Sequence, residues 1–338
     1  NWVARAWTYY FNEDYDAAAV AARKARGQGP GDPAAYVVSA WIELAQYEAQ
    51  RAANLNGCEF PCLYEETPTE RGFVERAAEY ASEAYVLDGG GDDAFEVQEV
   101  RGVTFCALKR YDRAIDALKK ALAHAQSSQL SGVYLRLARA QYQLRESEAD
   151  KSQFQTGAYK EAFLSCLAGL QEDKGQQLED ELIECAYRSI KAEIRGAGSF
   201  RPLLAGYAIS PSADRALNSY FDKVEELLEL KACRISPHTV VREKPRIGLD
   251  DAIYLWWPAL CLLSACLIYW YPDSIYPLAG FLITLSVTVF LALVFYFDWR
   301  GYKKEVEMRG RENVQYEAIS KRISTLCCEL GISESELD

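Results

Sequence analysis

Histidine is nearly absent from this 338-residue chain, with only His124 and His238 present. Few side chains are therefore suited to moving protons near neutral pH. An excess of base is missing as well. The chain sets 37 Lys and Arg against 49 Asp and Glu, a formal net charge of -12, and this argues against nucleic acid as a partner, because phosphate neutralisation needs a concentrated basic surface. Strand-like alternation is scarce over residues 1–235. Disorder is excluded, since half of all residues are apolar, more than an unfolded segment carries. The most local absence is of charge: no Lys, Arg, Asp or Glu occurs from Ala252 to Tyr271 or from Ser274 to Phe297, with only Pro272 and Asp273 between.

A helix rises about 1.5 Å per residue, so roughly twenty uncharged residues cross the ~30 Å of bilayer hydrocarbon. The two runs therefore predict a transmembrane hairpin over 252–297, with spans 252–271 and 274–297. Aromatic residues gather at their ends, and Trp256, Trp257, Trp270, Tyr271, Tyr296 and Trp299 are the expected membrane-interface residues. The turn at Pro272 and Asp273 puts both flanks on one side. Arg242, Lys244, Arg246, Arg300, Lys303 and Lys304 in those flanks select the positive-inside face. The chain opens at Asn1 without an initiator methionine, which fits removal of an organelle transit peptide and equally fits a truncated start. The expected location is the mitochondrial inner membrane with both termini on the matrix side; the chloroplast or the mitochondrial outer membrane is the alternative. A buried hairpin in a soluble core is the competing reading of the same runs.

Residues 1–235 are rich in Ala, Leu, Tyr, Glu and Arg at helical spacing, and small residues recur. Ala77, Ala81 and Ala84 return 37 residues later as Ala114, Leu118 and Ala121, and the pattern opens the chain as Ala18, Ala22 and Ala25. A unit of this length points to stacked helical hairpins. Over Phe95 to Ala125, Gly102 and Phe105 precede Tyr111, Ala114, Leu118 and Ala121; at the start, Trp2, Ala6 and Tyr9 precede Tyr15, Ala18, Ala22 and Ala25. These runs resemble tetratricopeptide repeats. A third candidate, Tyr134, Leu137 and Ala138 followed by Tyr159, Ala162 and Gly169, departs from that pattern at Gln141, where an aromatic is expected. Two further helical pairs are expected, one spanning Ala34 to Leu87 and one built on Leu182 to Ile190 and Ala216 to Leu228. The segment holding Gly196, Gly198, Pro202, Gly206 and Pro211 reads as an irregular loop between the last two.

The predicted architecture is all-α: a helical-repeat domain over 1–235, a linker over 236–251, the hairpin, and an amphipathic helix or tail over 298–338 on which Val306, Val314, Ile319, Ile323 and Leu326 form an apolar face. The resemblance implies a right-handed solenoid whose inner surface binds proteins. It places Trp7, Tyr10, Glu99, Arg139 and Tyr142 on that surface as partner-binding residues.

Catalytic and cofactor chemistry finds little to work with. Cys58 and Cys62 are spaced for a loop disulfide or half a metal site, but tetrahedral zinc needs two more ligands and no second close Cys or His pair accompanies them. Cys106, Cys166 and Cys185 fall on apolar helix faces as small core residues. Gly89, Gly90 and Gly91 lack the Lys and Ser or Thr of a phosphate loop. No catalytic residue, metal or cofactor is expected of the chain itself; structural lipids, or a quinone at a boundary shared with another subunit, are compatible ligands. The expectation is a non-catalytic accessory or assembly subunit of a membrane complex, an energy-transducing one preferred, with other protein subunits and membrane lipids as partners. A receptor for transient protein clients is the alternative.

Overall fold

A computed structural model of the chain describes residues 1–56, 64–90, 94–148, 159–233 and 314–333, together with Cys266, Leu285, Val289, Tyr296, Arg300, Lys303 and Lys304. Among the described residues every regular element is helical and no strand occurs. Two compact units hold them, Asn1–Glu226 and Leu227–Glu334.

The first unit opens with α1 (Trp2–Phe11), α2 (Tyr15–Gln28), α3 (Pro33–Asn56), α4 (Pro68–Leu87), α5 (Phe95–Ala107) and α6 (Tyr111–His124). It continues through α7 (Ser127–Glu148), α8 (Lys160–Glu172) and α9 (Glu179–Ala192) into α10 (Pro211–Cys233), inside which the division between the units falls. From α1 to α9 each helix packs on the next. In addition, α1 packs on α3, α3 on α5, α5 on α7 and α7 on α9, so the odd-numbered helices form one unbroken row. This is the packing of a repeat stack, compatible with a helical solenoid, in which each hairpin buries its apolar face only against its neighbours.

The repetition reaches down to single turns. Three residues join α1 to α2 and α5 to α6, and their middle residues, Glu13 (φ 61°) and Lys109 (φ 57°), are both left-handed. The amides of Glu13 and Asp14 return to the carbonyls of Tyr10 and Tyr9, just as those of Lys109 and Arg110 return to Cys106 and Phe105, satisfying carbonyls that the helix end leaves open. A Tyr-Asp pair then starts each second helix, as Tyr15-Asp16 and Tyr111-Asp112. Ala18, Ala22 and Ala25 are buried, as are Ala114, Leu118 and Ala121. At Gly102 a Cβ would stand 2.6 Å from Leu118 Cγ, so α5 approaches α6 at a distance only glycine permits.

Between these repeats, Val37, Ala40 and Leu44 of α3 share a core with Ala77, Ala81 and Ala84 of α4, and Tyr36, Trp41 and Tyr80 pack against it. Pro68 sits in the first turn of α4, and Thr67 and Glu70 close a capping box around its first amides, the arrangement that most directly starts a helix. Gln141, out of place in the aromatic pattern, is buried on α7 and accepts a hydrogen bond from Ser165 of α8 at 2.8 Å. A polar pair occupies that crossing. The expected irregular loop after α9 is instead two 3-10 turns, Ile194–Ser199 and Arg201–Gly206. Phe200 between them is buried, with its ring 5.1 Å from Phe163 of α8, which in turn meets Phe221 of α10 at 6.2 Å.

In the second unit residues 314–330 are helical. Ile323, Leu326, Cys327 and Leu330 are buried, whereas Val314, expected on the same face, is 66% exposed.

The membrane location requires correction. Among the described residues no helix is long and apolar enough to cross a membrane. The longest, α3 with 24 residues and α10 with 23, carry Glu43, Glu48 and Arg51 or Asp214, Asp222 and Glu225 within their length, so neither offers the uncharged ~20 residues that hydrocarbon demands. Placement in the mitochondrial inner membrane with both termini on the matrix side, and the chloroplast and outer-membrane alternatives with it, is withdrawn. The runs 252–271 and 274–297 lie outside the described residues except at Cys266, Leu285, Val289 and Tyr296, each helical and exposed. Trp256, Trp257, Trp270, Tyr271 and Trp299 also lie outside the described residues.

Candidate partner-binding wall

The row of odd helices begins at α1, whose Asn1 side chain caps it by accepting from the Val3 amide at 2.9 Å. Spacing of three and four residues brings Trp7, Tyr10 and Phe11 together on this helix. Trp7 meets Tyr10 edge-on at 5.4 Å and stacks on Phe11 at 5.7 Å, while Tyr10 approaches Tyr15 of α2 at 6.0 Å. Trp7 is half-buried and packs against two adjoining cores, that of α1 and α2 and that of α3 and α4.

Tyr10 also lies within electrostatic reach of Glu48 on α3, Glu99 on α5 and Arg136 on α7, and burial first, then Tyr15 and Glu48, pushes its hydroxyl up to about 12. Arg136 donates to the Glu99 carboxylate. Its guanidinium lies 5.3 Å over the Trp41 ring of α3. Burial raises Glu99 above the ordinary carboxylate range, against the opposing pull of Arg136. Four successive odd helices thus contribute to one patch of rings and charges.

Further along the row, Arg139 of α7 donates to Glu181 of α9 at 2.7 Å, with both side chains exposed. Tyr142 is half-buried beside Tyr159, 5.3 Å between ring centres, and Tyr159 donates to Glu146 at 2.6 Å. Burial, followed by Glu146, pushes Tyr142 up to about 12. All five residues expected on the inner surface therefore stand on odd helices, in two groups: Trp7, Tyr10 and Glu99 together, Arg139 and Tyr142 apart from them. Trp41, Glu48 and Arg136 were not expected on this surface. Their signal was the repeat itself, since Arg136 follows Glu99 by 37 residues, one repeat, and Trp41 stands about one repeat after Trp7.

Elsewhere, Cys166 of α8 and Cys185 of α9 are buried free thiols hydrogen-bonded to each other. Burial drives Cys166 well up, whereas the bond from Cys166 lowers Cys185. Gly89 and Gly90 are left-handed, and the Gly90 amide returns to the Tyr85 carbonyl at 2.8 Å, so they end α4. Cys58, Cys62, Gly91 and His238 lie outside the described residues. Among the described residues, no three His, Cys, Asp or Glu side chains gather as a metal ion would need. Comparison with known proteins finds no protein-family model that matches the chain and no curated protein that matches it.

Proposed function

We propose that this chain is a non-catalytic scaffold of the tetratricopeptide type, an accessory or assembly subunit that holds a partner protein against its odd helices. The observation that supports this reading is the unbroken row α1, α3, α5, α7 and α9, along which aromatic and charged side chains of four helices converge on Tyr10. Such a row is an extended surface built on rigid elements, and its half-buried rings resemble the aromatic anchors that dominate protein interfaces. Two ion pairs lie along it, Arg136 with Glu99 and Arg139 with Glu181, an arrangement that orients side chains more readily than it performs proton transfer.

Photo-crosslinking amino acids placed at Arg139 and Tyr142 test the reading, with Glu79 on the exposed face of α4 as the control. The wall positions are expected to crosslink to a discrete partner that co-purifies in fixed stoichiometry. Equal labelling from Glu79, or none from the wall, refutes the proposal.

A further inference from the structure

The charge of the chain is unevenly placed. Its first hundred residues hold 18 Asp and Glu against 7 Lys and Arg, a balance of -11 out of the total -12. The sequence through α4 and the start of α5 is therefore acidic, and the remainder of the array is nearly neutral.

The rings of this half are treated in two ways. Several carry a cation from the chain itself: Lys24 lies 4.6 Å over Trp2, Arg26 4.3 Å over Tyr80, Arg101 3.7 Å over Tyr85 and Arg136 5.3 Å over Trp41. Trp7 instead stacks on Phe11 and Tyr10 meets both edge-on, and among the described residues no Lys or Arg covers them. Phe11 is 75% exposed. From neighbouring helices two carboxylates act on Tyr10 electrostatically: Glu99, which Arg136 already neutralises, and Glu48, which is exposed and has no ion-pair partner among the described residues. Of these two, Glu48 is the one whose charge is left unbalanced.

Open aromatic faces attract an ammonium or guanidinium through the ring quadrupole, and a neighbouring carboxylate adds charge complementarity. An acidic or neutral segment gains neither. We infer that the α1 end of the wall, Trp7, Tyr10 and Phe11 beside Glu48, docks a Lys- or Arg-bearing segment of the partner protein. This rests on the scaffold reading above and gives its partner a chemical class. Arg136 does not oppose such a guest, because its charge is engaged by Glu99 and its plane by Trp41.

The test uses the full chain and a fluorescein-labelled deca-lysine peptide, read by fluorescence anisotropy, with deca-glutamate as control. Deca-lysine is expected to bind and deca-glutamate not to. Its affinity should fall about tenfold in Phe11→Ala and in Glu48→Lys, and stay unchanged in Glu83→Lys, which alters an exposed carboxylate on α4 by the same charge. Phe11 and Glu48 are exposed, so both variants should melt like the parent. Absence of deca-lysine binding, an equal loss in Glu83→Lys, or no loss in either cluster variant overturns the inference. The crosslinks from Arg139 and Tyr142 judge the scaffold reading separately and stand whatever the peptide does.

Discussion

Glu70 shows how a buried charge is held. Its side chain is inaccessible to solvent, yet it accepts from the Thr67 amide at 2.6 Å, from Asn54 at 3.3 Å and from the Tyr64 hydroxyl. Burial acts to raise its pKa, but the bonds from Tyr64, Thr67 and Asn54 outweigh it and leave the carboxyl below the ordinary 4.5. A lowered folded-state pKa contributes stability that is complete above 4.5 and lost as pH falls through the folded value. Glu70→Gln is therefore expected to cost about 1–3 kcal/mol at pH 7 and much less at acid pH, which urea melts at the two pH values would check. Glu99 has the opposite sign, since burial raises it, and there Arg136 supplies the compensation. Truncating Arg136 to Ala leaves that carboxylate buried alone and should cost about 1–3 kcal/mol, whereas Arg139→Ala removes an exposed pair and should cost under ~0.5. A combined Arg136→Ala and Glu99→Gln variant should recover part of the loss if the unpaired charge is its cause. Thiols provide a further check. Burial pushes Cys106 up to about 11 and Cys166 well above its usual range, so iodoacetamide at pH 8 should label both far more slowly in the folded chain than in urea.

At the scale of helices, stability turns on how closely pairs cross. Gly102 against Leu118 and Gly169 against Leu182 leave no room for a Cβ, with contacts of 2.6 and 2.7 Å. Gly102→Val and Gly169→Val are predicted to destabilise by about 1–3 kcal/mol through overpacking. Gly27 near the end of α2 has nothing within 4 Å of its added Cβ, and Gly27→Ala should stabilise by up to ~1 kcal/mol through helix propensity. Thermal melts of the three variants separate close approach from propensity. These hairpins were legible in the sequence because each is a local object: Tyr15-Asp16 and Tyr111-Asp112 start matching helices, and alanines three and four residues apart mark the crossing face. The 3-10 turns after α9 were not legible. Glycines and prolines announced a break there, but the burial of Phe200 against Phe163 depends on α8 lying beneath it. Val314 failed for a related reason, since periodicity marks a face and cannot say how far along a helix its neighbours reach.

Taken as a whole, the first unit is a stack in which every helix packs on the next and the odd helices also pack on one another, and loss of a contact between repeats should appear as lost cooperativity. A melt of Arg136→Ala is expected to broaden relative to Gly27→Ala, because Arg136 joins α7 to α5 and α3 while Gly27 joins nothing. The two uncharged runs were the plainest feature of the sequence, but the membrane location drawn from them was not carried by any described helix. Helical content, the hairpin unit and the small-residue crossings could be read from the order of residues alone, because they depend on neighbours within a few turns. The meeting of Glu99 with Arg136 and of Arg136 with Trp41 could not, because each depends on the register in which one hairpin stacks on the next, and that register is set by the packing of the entire array.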